Sequence, residues 1–172
     1  MLGQNTHKLE RQNQSTSPDQ TQKDCTCARN APCPLGGMCN RKDIVYEAKI
    51  QNISTKTKYT YFGQTSTTFK ERLSTHKYSF RHISAKNQTE MSKLIWKFKG
   101  KNLNFEIQWN LVRFAPSNKP GNKFCKLCIS EINQILFYSK SESESILINK
   151  REEFMNRCKH RDRWKLQIIW KF

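Results

Sequence analysis

No stretch of this 172-residue sequence approaches the roughly 20 consecutive apolar residues that a membrane-spanning helix requires. The segment from Met1 to Gln22 also lacks the apolar core of a secretion signal, so neither export nor membrane insertion is indicated. Acidic residues are scarce: 14 Asp and Glu stand against 31 Lys and Arg, a formal charge of +17. Solubility needs only a modest excess of either sign. A surplus of this size on a small domain favours a polyanion, whose counterions are released as the lysines and arginines arrive. Nucleic acid is the partner to which that charge points. Residues 1–24 are almost without apolar side chains and rich in Gln, Ser, Thr, Asn and Lys. They cannot offset the entropy of ordering and are expected to form a disordered leader.

Seven cysteines are an odd number, which argues against a complete intramolecular disulfide set. In the reducing compartment that the missing export signal implies, clustered thiols bind metal more often than they oxidise. Cys25, Cys27, Cys33 and Cys39 lie close together ahead of the first strand, enough thiolates to close a tetrahedral zinc site. Cys125 and Cys128 form a C-x-x-C, to which Cys158 and His160 can add two further ligands. The two sets use every cysteine in the chain. The plainer alternative makes Cys128 or Cys158 a small buried apolar residue and Cys25 a spare thiol.

Between these clusters the hydrophobic pattern alternates and then changes period. Ile44, Tyr46, Ala48 and Ile50 share one face of a strand. A polar loop from Gln51 to Lys58 follows, and Tyr59, Tyr61 and Gly63 then share a face of a second strand, forming an antiparallel hairpin. Thr68 with Glu71 three residues on reads as a capping box, ahead of Phe69, Leu73, His76 and Phe80 at helical spacing. Arg72 and His76 stand one turn apart on that helix. A second helix is expected from Thr89 to Lys99, ended by Gly100, burying Met91, Leu94, Ile95 and Phe98. Phe105, Ile107, Trp109 and Leu111 alternate through a third strand. Cys125 to Tyr138 reads as a helix with Leu127, Ile132, Ile135 and Leu136 inside, and Asn149 to His160 as another. The expectation is an α+β domain, a small three-stranded antiparallel sheet flanked by helices, with zinc-binding attachments.

Ile44-Val45-Tyr46 and Tyr61-Phe62-Gly63, followed by Arg72, His76, Glu131 and Asn149, resemble the GIY-YIG nuclease family in order and spacing. The match is imperfect, since Ile44 replaces the first tripeptide's glycine and Phe62 the second's isoleucine; neither change removes a reacting group. Singly, two hairpin tyrosines are ordinary cross-strand packing and an Arg/His pair is an ordinary solvated helix face. The ordered set carries the resemblance.

The resemblance implies phosphodiester hydrolysis. Tyr46 would act on the attacking water with Tyr61 beside it, and a phenol with a pKa near ~10 needs a positive field to do so, which Arg72 and Lys70 can supply. Arg72, planar and bidentate, would stabilise the transition state, with His76 at the nucleophile or leaving group. Glu131 would bind Mg²⁺ or Mn²⁺, and Asn149 would help fix the site. Lys70, Lys77, Lys93 and Arg151 would contact phosphate.

A closer resemblance, to the endonuclease domain of Penelope-like retroelements, rests on the Cys-Pro-Leu stretch from Cys33, on Phe69-Lys70-x-Arg72-x3-His76, and on Ser92-x2-Ile95-Trp96. Cys125-x2-Cys128, Leu147-Ile148-Asn149-Lys150-Arg151-x-Glu153 and Cys158-Lys159-His160 complete it. It implies DNA nicking for target-primed insertion, with DNA and a reverse transcriptase domain as partners; the DNA role and basic clusters such as Lys159 to Lys165 point to the nucleus as location. The expected layout is a leader at 1–24, a zinc segment at 25–42, the nuclease domain at 43–165 and a basic, aromatic tail at 166–172. Arg157 to Phe172 would either contact phosphate or pack Trp164, Leu166, Ile168 and Ile169 on the body as an amphipathic helix. The alternative to a nuclease is a zinc-stabilised DNA-binding module that has lost catalysis.

Overall fold

The computed structural model describes residues 25–27, 32–117, 124–140, 144–150, 158 and 160. The leader at 1–24, Arg151 and the tail at 166–172 lie outside them. The elements run β1 (Ile44–Asn52), β2 (Lys58–Thr65), α1 (Phe69–Arg81), a 3-10 turn (Ile83–Ala85), α2 (Glu90–Gly100), β3 (Phe105–Phe114), α3 (Lys126–Lys140) and β4 (Ile146–Leu147).

The domain is α+β as expected, but its sheet has four strands in the order β3-β1-β2-β4. β1 runs antiparallel to both β2 and β3, while β4 lies parallel to β2, so the expected three-stranded antiparallel sheet is corrected to a mixed one. β4 is two residues long, too short to carry any period in sequence. Its existence depends on a long-range pairing, which continues past the strand as Ile148 N–H donates to the Thr60 carbonyl at 2.9 Å.

β1 is buried on both faces at its start, while Lys49 further along is exposed. Ile44, Tyr46, Ala48 and Ile50 enter the main core with Phe69, Leu73, Met91, Ile95 and Phe98, so α1 and α2 cover that side. Val45 points the other way, into a smaller cluster with Ala115, Cys125 and Leu127 beneath α3. Leu127 and Ile135 are buried as expected, and Ile132 is half-buried. Leu136 is instead exposed, because it stands roughly 100° around the helix from Ile135.

The helix starts follow the sequence. Thr68 and Glu71 make the reciprocal capping box, and Thr89 makes the same motif with Ser92. α2 runs one residue further than expected, with Gly100 as its last helical residue. The chain reverses at Asn102, whose φ of 51° is the left-handed turn that asparagine tolerates. Of the helix expected from Asn149 to His160, Asn149 and Lys150 are not helical, and 151–157 and 159 lie outside the described residues. Among the described residues no helix is long and apolar enough to cross a membrane.

Candidate active site and metal centres

Tyr46 and Gly63 are direct partners across the hairpin. A Cβ built on Gly63 would meet the Tyr46 hydroxyl oxygen at 2.5 Å and Cζ at 2.6 Å. Glycine at this position is therefore a packing requirement, because the phenol lies over the second strand where a side chain would stand. From there the hydroxyl reaches α1. His76 Nε2 is 2.7 Å from the Tyr46 oxygen, and Arg72 Nε donates to the same oxygen at 3.0 Å. One helical turn separates Arg72 from His76, which is why both reach a single phenol.

The charges fit this arrangement. His76 is held well below the ordinary imidazole range, first by burial and then by the Arg72 charge, so the ring is neutral. A neutral ring protonated at Nδ1 accepts at Nε2, and the phenol that receives Arg72's N–H can donate its own proton to His76. Burial works against the Arg72 charge, but Tyr46, Tyr61 and the Glu131 carboxylate together raise its affinity for the proton. Glu131, half-buried on α3, is thus electrostatically coupled to Arg72 on the other helix layer. The Tyr61 ring stands edge-on to His76, centroids 6.2 Å apart.

Asn149 works through the backbone. Its Oδ1 accepts from Phe62 N–H at 2.8 Å and its Nδ2 donates to the Phe62 carbonyl at 2.9 Å. The amide imitates a further strand residue beyond β4 and clamps β2 between Tyr61 and Gly63. Of the expected catalytic residues, then, Tyr46 bonds to both Arg72 and His76, Tyr61 stands beside His76, Glu131 acts on Arg72 by charge, and Asn149 holds the strand.

The expected phosphate contacts are more dispersed. Lys70 Nζ donates to Thr26 Oγ1 at 2.9 Å, and Lys93 pairs with Glu90 at 2.6 Å. Lys77 is exposed, but it stands five residues and roughly 140° around α1 from Arg72. Arg151 lies outside the described residues. A concavity of about 500 Å³ lined by Lys49, Tyr59, Thr60, Tyr138 and Ser145 contains none of the site residues.

Two features escaped sequence reasoning, a pair of rings and a glutamine. Trp109 of β3 packs against Tyr46 and His76 with centroids 5.8 and 5.5 Å away, and Phe80 stacks on His76 at 6.0 Å. Their alternation and helical spacing marked them as core without showing that they pack on the imidazole. Gln64 is the other. Its Nε2 donates toward Cys128 Sγ at 3.4 Å and its Oε1 lies 3.2 Å from His160 Nε2. A lone glutamine beside the tyrosine motif carries no signal of that bridge.

The sulfur atoms of Cys25, Cys27, Cys33 and Cys39 all lie within 4.8 Å of one another, as do those of Cys125, Cys128 and Cys158. Sulfur separations of 3.5 Å (Cys27–Cys39), 3.4 Å (Cys25–Cys39) and 3.4 Å (Cys128–Cys158) approach the ~3.8 Å edge of a zinc tetrahedron with Zn–S near 2.3 Å. Both groups can hold a metal ion such as zinc. Burial pushes the Cys39 and Cys128 thiols up to about 12. Burial also opposes the Cys33 thiolate, yet backbone N–H groups of Leu35 and Gly37 bring Cys33 down to about 6. That cradle needs the turn at Gly36 and Gly37, with φ of 58° and 102°. His160 stands outside the three-sulfur group, joined to it through Gln64.

The first cysteine segment also completes α1. Phe69 N–H donates to the Arg41 carbonyl at 3.0 Å and Lys70 N–H to the Cys39 carbonyl at 2.8 Å, satisfying two otherwise orphaned donors of the first turn. No protein-family model, curated protein or solved structure matches the chain.

Proposed function

We propose that this chain is a divalent-metal-dependent DNA endonuclease of the GIY-YIG type, most like those of Penelope-like retroelements, that nicks one strand. The observation that carries the reading is the single phenol held between Arg72 and a neutral His76, at 3.0 and 2.7 Å. A phenol that receives the N–H of a fixed cation is shifted toward the phenolate, the form able to take a proton from water, and the neutral His76 holds it in place by a hydrogen bond. Arg72 would bind phosphate oxygens through its terminal amino groups while Nε stays on Tyr46.

Glu131, a half-buried oxygen donor coupled to Arg72, fits a hard cation and would hold Mg²⁺ or Mn²⁺. Such an ion, when bound, supplies charge neutralisation at the scissile phosphate. The cysteine groups brace the helices that present Arg72 and Glu131. The net charge of +17 supports DNA as substrate and, through it, a nuclear location; a reverse transcriptase domain as partner rests on the retroelement resemblance.

One observation favours the second reading, a DNA-binding module without catalysis: Tyr46 and His76 are 0 and 1 % exposed, so water must reach the phenol through the more open side of Arg72 and Glu131. Conversion of supercoiled plasmid to open circle in Mg²⁺ separates the two. The native chain should nick and Glu131→Ala should bind DNA without nicking. Salt-sensitive binding with no strand breakage by either protein, in Mg²⁺ or Mn²⁺, would overturn the endonuclease in favour of the binding module.

A further inference from the structure

α1 presents an aromatic surface that the phosphodiester chemistry does not use. Tyr78 is 47 % exposed, and the exposed His82 ring stacks on it with centroids 4.1 Å apart and 24° between planes. Both residues lie on the solvent side of the helix end, so core packing does not explain the stack. Ile83, 65 % exposed, follows directly, and Lys77, Arg81 and Lys86 are exposed around it. Beside Tyr78 runs an open trough of about 410 Å³, lined also by Ser74, Thr75, Gln88 and Glu71. That volume is in the range of small-ligand sites. The trough's one acid is turned aside, as Glu71 accepts the Thr68 N–H at 3.2 Å in the capping box.

We infer that Tyr78 and His82 form a stacking platform for an unpaired DNA base, with Lys77, Arg81 and Lys86 taking the flanking phosphates. The inference rests on the nucleic-acid reading of the charge. Three features select this occupant. A preformed aromatic stack offers a flat π-face that any base can cover, and cations beside it match the strand's backbone. Duplex DNA is excluded from the platform because both faces of each base are already covered by its neighbours. The location sets the path: Tyr78 is six residues along α1 from Arg72, about 9 Å along the axis and roughly 120° around it, so a strand whose phosphate rests on Arg72 would curve around α1 to lay a base on Tyr78. The trough, with its serine, threonine and glutamine, then offers hydrogen-bonding groups along that base's edge.

The test is binding of a 12-residue oligothymidylate, measured by fluorescence anisotropy in buffer without divalent metal. Tyr78→Ala should weaken binding by about tenfold, whereas Tyr78→Phe, which keeps the ring, should stay within about twofold of native. The salt dependence of affinity should be unchanged in Tyr78→Ala and shallower in a Lys77→Ala/Arg81→Ala variant. Far-UV circular dichroism of each variant checks that α1 is intact. A 5-iododeoxyuridine strand should crosslink to the peptide carrying Tyr78 and His82. Native affinity in Tyr78→Ala, or crosslinks confined to other peptides, would overturn the platform. A chain that fails to nick plasmid yet shows the Tyr78 effect would sink the endonuclease alone, and one that nicks while Tyr78→Ala binds normally would sink the platform alone.

Discussion

Gly63→Ala adds one methyl group at the point where the two strands of the site come closest. The new Cβ would lie 2.5 Å from the Tyr46 hydroxyl oxygen, 2.6 Å from Cζ and 3.0 Å from Cε2. Three contacts on a ring wedged among Phe69, Trp109 and His76 leave the phenol no cheap retreat. In an unobstructed strand the same change would stabilise by about 0.4–1 kcal/mol, since alanine has less backbone freedom to lose. Overpacking works the other way at about 1–3 kcal/mol, and displacing the phenol also weakens its bonds to His76 and Arg72 at about 1 kcal/mol each. The steric term wins. A net loss of about 1–3 kcal/mol should lower Tm by roughly 2–10 °C in a chain of this size. Gly100→Ala is the control, because nothing lies within 4 Å of its built Cβ and the residue ends α2. It should melt at or slightly above the native temperature. If Gly63→Ala melts no lower than Gly100→Ala by circular dichroism, the close approach of phenol and strand is wrong.

Asn149→Ala removes both hydrogen bonds to the Phe62 backbone and should cost about 2 kcal/mol in urea unfolding, with faster amide exchange at Phe62; native-like exchange there would refute the clamp. Because His76 stays neutral when folded but takes a proton below its ordinary value of 6.5 when unfolded, acid favours the unfolded chain. Stability should therefore fall as pH drops from 7 to 5, at up to ~1.4 kcal/mol per unit, and His76→Gln should flatten that dependence in pH-stepped melts; equal slopes would show that another group titrates. Zinc analysis of the purified chain should find metal that a chelator removes with a drop in Tm. Cys39→Ser should lower the zinc content while exposing the Phe69 and Lys70 amides to exchange, since the Cys39 carbonyl is tied to α1. Unchanged zinc in that variant would argue against the first group as a ligand set.

Sequence alone determined what depends on near neighbours. The alternation through Ile44–Ile50, the capping box at Thr68 and Glu71, and the one-turn spacing of Arg72 and His76 are short-range patterns, and the structure follows them. The closeness of Cys25, Cys27, Cys33 and Cys39 was likewise legible, because all four fall within 15 residues. Tertiary structure decided the rest. β4 carries too few residues for a period, and Asn149, read as the start of a helix, is instead tied by its side-chain amide to a strand residue 87 positions away. Leu136 was counted as core by its hydrophobicity, but only the helix rotation against the sheet says which apolar residues are covered. The packing of Trp109 on His76, and the bridge from Gln64 to Cys128 and His160, join residues from separate elements. Periodicity tells which face a residue occupies; the sheet register and helix packing decide what that face meets.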